Sequence, residues 1–102
     1  MTLPPVAEGH DRVVIDFDGV LAENNWPSPV VGSPIKEGIE LLKAFVDEGK
    51  EVIVYTARPH SHQQRIWSWL AMQGLQMKVY DVVTGKPTAG VYVDDRAWRF
   101  ER

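Results

Sequence analysis

The chain has 102 residues, 44% hydrophobic and 25% charged, with a formal net charge of -3. That length holds one domain, residues 1–102, and the composition is that of a globular protein able to form a core without staples. The absence of cysteine excludes disulfides and thiolate metal sites, and the charge leaves no electrostatic footprint for nucleic acid, although Arg96, Arg99 and Arg102 lie close together.

Met1 to His10 carries Pro4 and Pro5 and lacks the basic stretch and apolar run of a secretion signal. No apolar segment approaches the ~20 residues of a membrane span. The expectation is a cytoplasmic protein with no membrane partner. Val13-Val14-Ile15 then forms a continuous apolar run, which suits a strand buried on both faces of a parallel sheet. Ser33-Pro34 predicts a helix start, with Ser as N-cap and Pro in the first helical position. Ile35, Ile39, Leu42 and Val46 recur at helical spacing, Leu41 and Phe45 widen the stripe, and Gly49 ends it. Glu51 to Tyr55 reads as a second buried strand. A second helix is expected from Ser61, with Gln64 placed for a capping box, Ile66, Trp69 and Leu70 on its apolar face, and Gly74 as its stop. Val79-Tyr80 with Val82-Val83, and Gly90 to Val93, give two further strands. Strands alternating with helices predict a parallel α/β sheet with right-handed crossovers.

In open α/β sheets, ligands bind beyond the carboxyl ends of the strands. The polar residues of interest gather at those ends. Asp16 and Asp18 follow the first strand, Thr56 follows the second, and Asp94 and Asp95 follow Gly90 to Val93. Two carboxylates leaving a buried strand need a metal or hydrogen-bond donors. Alone, Asp16-Phe17-Asp18-Gly19 is also compatible with turn capping. It does not read as a calcium loop, because Val20 and Leu21 stand where a further ligand and a glycine are required. Two acidic pairs at neighbouring strand ends suit a hard divalent cation. Lys86, in the Gly85-Lys86-Pro87 turn, is placed to balance their charge or to hold a phosphoryl oxygen.

DFDGVLAE, VYTAR, GKP and VYVDD, in that order from about Asp11 to Trp98, resemble the haloacid dehalogenase superfamily of phosphohydrolases. The resemblance implies a Rossmann-like three-layer α/β sandwich with a small, mostly parallel sheet. It implies a Mg²⁺-dependent phosphatase that forms an aspartyl-phosphate. Asp16 matches the nucleophile, Asp18 the general acid and base, Thr56 the hydroxyl that steadies the phosphoryl group, and Lys86 the stabilising lysine. Asp94 and Asp95 match the acidic metal site, with Asp16 and the Asp18 carbonyl also on Mg²⁺.

Larger superfamily members carry an inserted cap domain. Only Leu21 to Gly32 separates the first motif from the first helix here, and about one helix lies between Thr56 and Lys86. The expectation is the small type with minimal or no cap, and a sheet lacking its usual last strand. Ala22 to Pro29 is the nearest thing to a flap. Trp26, and with it Asn24, is a candidate substrate contact there; packing at the domain edge is the alternative for Trp26. Arg58 is a candidate for either a substrate or a structural contact. His60 and His62 read as helix-start residues. Four Trp in a short chain, with an open site, predict a homo-oligomer with a neighbour near Trp26. The substrate is a phosphate ester whose identity the sequence leaves open. Two other readings stand beside the enzyme: a receiver-like phosphoacceptor domain, and a catalytically idle binding or assembly module.

Overall fold

In the computed structural model of the protein, residues 12–84, 91–93 and 98–100 are described. β1 (Arg12–Asp16) and β2 (Glu51–Tyr55) pair in parallel over their full length, with Asp16 opposite Tyr55. β3 (Asp81–Val83) extends the sheet beyond β2, and β4 (Val91–Val93) pairs with the other edge of β1, both in parallel. β5 (Trp98–Phe100) closes that side antiparallel to β4, giving the order β3-β2-β1-β4-β5. The expectation of a missing last strand is thus corrected, because the edge of β4 is covered by β5. No helix among the described residues is long and apolar enough to cross a membrane.

The sheet is built from the apolar runs for a simple reason. Val13, Ile15, Val52 and Val54 point to one face, and Val14 and Ile53 to the other, so each run is buried on both sides. α1 (Lys36–Asp47) presents Leu41, Leu42 and Phe45 to the first face, and α2 (Gln63–Met72) presents Ile66, Trp69 and Leu70 to the same face. Two right-handed crossovers that step in one direction, β1 to β2 to β3, place both helices on one side. Tyr55 and Val83 pack against Val14 and Ile53 on the other side. The molecule is a Rossmann-like α/β fold with a small, mostly parallel sheet. Among the described residues both helices cover one face of the sheet, and no described helix supplies the third layer that the sequence led us to expect.

Both helices begin later than their sequence signals suggest. α1 starts at Lys36, and Ile35 occupies the N-cap without a side-chain cap bond. Pro34 is drawn instead into a bridge with Ala22, and the Ile35 amide donates to the Leu21 carbonyl at 2.8 Å. α2 starts at Gln63 after a short 3₁₀ turn, His60–His62, and again lacks a side-chain cap bond. The Gln63 side chain donates to the Val82 carbonyl and ties the helix start to β3. β3 is shorter than expected, since Val79 is a buried core residue outside the strand and Tyr80 is exposed. Gly49 and Gly74 end their helices at φ +82° and +72°, as the sequence predicts.

The β1–α1 connection carries the first motif and no inserted domain. The amides of Val20, Leu21 and Ala22 all turn back onto the Phe17 carbonyl, at 3.0–3.4 Å. This tight turn needs φ +95° at Gly19, a region that side chains strongly disfavour. Phe17 itself is fully buried and meets Trp69 of α2 edge-on, with ring centroids 5.0 Å apart. The motif is therefore anchored into the core between its two aspartates.

Candidate active site

The order β3-β2-β1-β4-β5 reverses direction at β1, and the carboxyl ends of strands at such a switch point are where open α/β sheets bind ligands. Asp16 is the last residue of β1 and is half-buried. One residue on, the Phe17 amide still donates to the Tyr55 carbonyl at 2.8 Å, so the β1–β2 ladder continues into the motif. Thr56 follows β2 directly, is 1% exposed, and donates its amide to the Val83 carbonyl at 3.0 Å. A cavity of about 190 Å³ sits at this edge, lined by Asp16, Phe17, Asp18, Tyr55, Thr56 and Ala57 from the strand ends, with Asn24 and Trp26 from the flap.

The Thr56 hydroxyl has a defined role in local structure. Its Oγ1 accepts from the Arg58 amide at 3.0 Å. A hydroxyl has one proton and two lone pairs, so Thr56 keeps its O–H free to donate. Asn24 is used in a similar local way, its Oδ1 accepting from the Trp26 amide at 3.0 Å. Trp26 is 38% exposed, meets the His62 ring edge-on at 5.5 Å, and lies 5.2 Å from the Arg58 guanidinium carbon. Trp26 thus lines the cavity and packs at the domain edge together.

Arg58 is the largest fully buried side chain among the described residues. In the structure it makes protein contacts. Its Nε donates to Asp18 Oδ2 at 3.0 Å, and its Nη2 to Asp18 Oδ1 at 3.0 Å, a bidentate pair. Its Nη1 reaches the carbonyls of Ser28 and Pro29 at 3.2 and 3.3 Å, and Nη2 reaches that of Val30 at 3.5 Å. The ion pair is buried, with the side chains 0% and 12% exposed. Removing one partner of such a pair typically costs ~3–5 kcal/mol, because the other charge is stranded. The sequence carried one signal for this: an arginine just after a strand end, near two acids at the same edge.

Asp16, Asp18, Thr56, Asn24 and Trp26 therefore meet in one cavity, with Arg58 behind Asp18. Lys86, Asp94 and Asp95 lie outside the described residues. Tyr55 and His62 belong to this neighbourhood without having been singled out as ligands by their sequence context. Mg²⁺ takes hard oxygen ligands and keeps several waters, needing only one or two protein carboxylates. The Asp16 carboxylate and the Asp18 main-chain carbonyl are donors of that type. Among the described residues no three His or acidic side chains gather into a fuller shell.

No protein-family model matches the chain, and no curated protein matches it. Its fold is similar to the solved structure of a conserved protein from Bacteroides thetaiotaomicron, with a TM-score of 0.69 and 24% sequence identity over 84% of this chain and 76% of that chain. That likeness extends to the fold alone.

Proposed function

We propose that this protein is a magnesium-dependent phosphohydrolase that cleaves a phosphate monoester through an aspartyl-phosphate on Asp16. One observation carries the reading. Two paired parallel strands end at a single cavity, where a carboxylate from β1, a second carboxylate two residues on, and a hydroxyl after β2 share the lining.

An Asp16 carboxylate oxygen forms a bond to phosphorus as the ester P–O bond breaks. The leaving oxygen takes a proton from Asp18, which in its acid form carries that proton on an oxygen released by one of the two Arg58 donors. Asp18 then accepts a proton from water, whose oxygen attacks phosphorus, releasing inorganic phosphate and free Asp16. The Thr56 hydroxyl, its lone pair engaged by the Arg58 amide, donates to a phosphoryl oxygen. The Asp16 carboxylate and the Asp18 carbonyl would hold Mg²⁺; the sequence resemblance adds Asp94 and Asp95 to that set and gives Lys86 the role of balancing the carboxylates, all three lying outside the described residues. The ion, when bound, supplies neutralisation of the phosphoryl oxygens.

The strand order bears on the receiver alternative. Receiver-type sheets run 2-1-3-4-5, whereas this one runs 3-2-1-4-5 with an antiparallel last strand. The test is phosphate release from a panel of phosphate esters in large excess over protein, with Mg²⁺ and with a chelator. Many turnovers per chain are expected with Mg²⁺, and loss of turnover in chelator that Mg²⁺ restores. Release of no more than one phosphate per chain from any ester would favour a phosphoacceptor or a binding module. Full turnover in chelator would remove the metal.

A further inference from the structure

We propose that Arg58 is a positioning residue that couples the seating of the flap to the orientation of the Asp18 carboxylate. Its catalytic consequence rests on the phosphohydrolase reading; the coupling itself does not.

A guanidinium has five N–H donors in a fixed planar fork. Here one face of the fork is spent on both oxygens of Asp18, and the rest on the carbonyls of Ser28, Pro29 and Val30, with His62 Nδ1 also 3.4 Å from Nη1. The side chain is fully buried, so water does not substitute for any of these partners. Residues 23–30, by contrast, are exposed. Several of their hydrogen bonds are local: Ser28 amide to Asn25 carbonyl at 2.7 Å, Trp26 amide to Asn24 Oδ1, and Val30 amide to Ser28 Oγ. Arg58 connects three consecutive carbonyls of this exposed loop to the body of the protein, and Arg65 adds a second bond to Pro29 at 3.1 Å. Trp26 lies against the guanidinium from the cavity side of the loop.

The fork is rigid, so its two sets of partners are not independent. A flap that lifts away strands N–H groups of Arg58, and the guanidinium moves to regain partners. The Asp18 carboxylate, bonded through two parallel donors, turns with it. The flap in place thus holds Asp18 in one orientation, and the loss of Asp18's charge loosens the flap at a distance of ten residues in sequence. Lysine keeps the charge but has three donors on one nitrogen, so it cannot hold both oxygens of Asp18 and three carbonyls together.

Two arms test this. In the first, Arg58→Lys is assayed against esters with good and poor leaving groups. A positioned general acid typically contributes 10²–10⁴-fold. A fall in kcat on the order of 10–100-fold is expected for poor leaving groups, a much smaller fall for good ones, and little change in KM. Equal losses across leaving groups, tracking only a lowered Tm, would reduce Arg58 to a structural residue. In the second, amide hydrogen exchange over residues 24–30 is compared among wild type, Arg58→Lys and Asp18→Asn, with folding checked by circular dichroism. Faster flap exchange is expected in both variants, including Asp18→Asn, whose substituted side chain is joined to the flap through Arg58. Unchanged flap exchange in folded Asp18→Asn would overturn the coupling. This arm needs no turnover, so a wild type without phosphatase activity would sink the functional reading and still leave the coupling decided.

Discussion

Asp16→Asn is expected to remove turnover, by roughly 10⁴-fold or more, while the protein stays folded. An amide nitrogen or oxygen is not a competent nucleophile at phosphorus, and a lost nucleophile is not replaced by the hydroxyl or the second carboxylate nearby. The expected persistence of the fold has a separate basis. Asp16 is the terminal residue of β1, paired by its backbone to Tyr55, and asparagine keeps its shape and its backbone bonds. The core immediately behind it is held by Ile15 and Phe17, both fully buried. Measured kcat, together with thermal melts and a mass check for deamidation, decides the matter. Near-normal activity without deamidation would show that Asp16 is not the attacking group.

Gly38→Ala is expected to destabilise the protein by about 3 kcal/mol, against a total of ~5–15 kcal/mol for a domain of ordinary stability. Two effects oppose each other. Alanine favours a helix interior over glycine by up to ~1 kcal/mol, which would stabilise α1. However, Gly38 sits in the first turn of α1 with its Cα against the backbone of Val20, and a Cβ there would overlap the Val20 carbonyl oxygen. That oxygen belongs to main chain in the motif turn, so no side-chain rotation relieves the overlap. Either α1 or the turn carrying Asp18 must shift. The clash wins, and a fall in Tm on the order of 10–20 °C is expected. The check is a melt of the variant beside wild type. An unchanged or raised Tm would mean that α1 does not lean on the motif turn.

The sheet was legible because burial on both faces leaves a plain mark in sequence. Glu51 to Tyr55 reads as a strand and is one, residue for residue. The helix starts were less legible because long-range partners took over the local signals. Ser33-Pro34 has the chemistry of a helix entry, yet Pro34 bridges to Ala22 and the chain turns helical only at Lys36. Ser61 and Gln64 have the spacing of a capping box, yet a 3₁₀ turn precedes α2 and Gln63 reaches across to β3. At the site, the convergence of Asp16, Asp18 and Thr56 followed from strand ends alone, since parallel strands deliver their last residues to one edge. The direction of the Arg58 side chain did not. Sequence places an arginine beside the edge, and only the folded flap supplies the carbonyls that turn it inward.

The aspartyl-phosphate can be sought directly. Quenching the protein in acid during turnover of a phosphate ester preserves an acyl phosphate, and borohydride reduces that group to an alcohol, converting a phosphorylated aspartate to homoserine. Peptide mass spectrometry then reads each aspartate. The predicted result is homoserine at position 16, with Asp18 unmodified and the signal absent when substrate is omitted. Phosphate release at many turnovers per chain with Asp16 unmodified, and with inversion of configuration at a chiral phosphorus, would contradict a covalent intermediate and assign the attack to water.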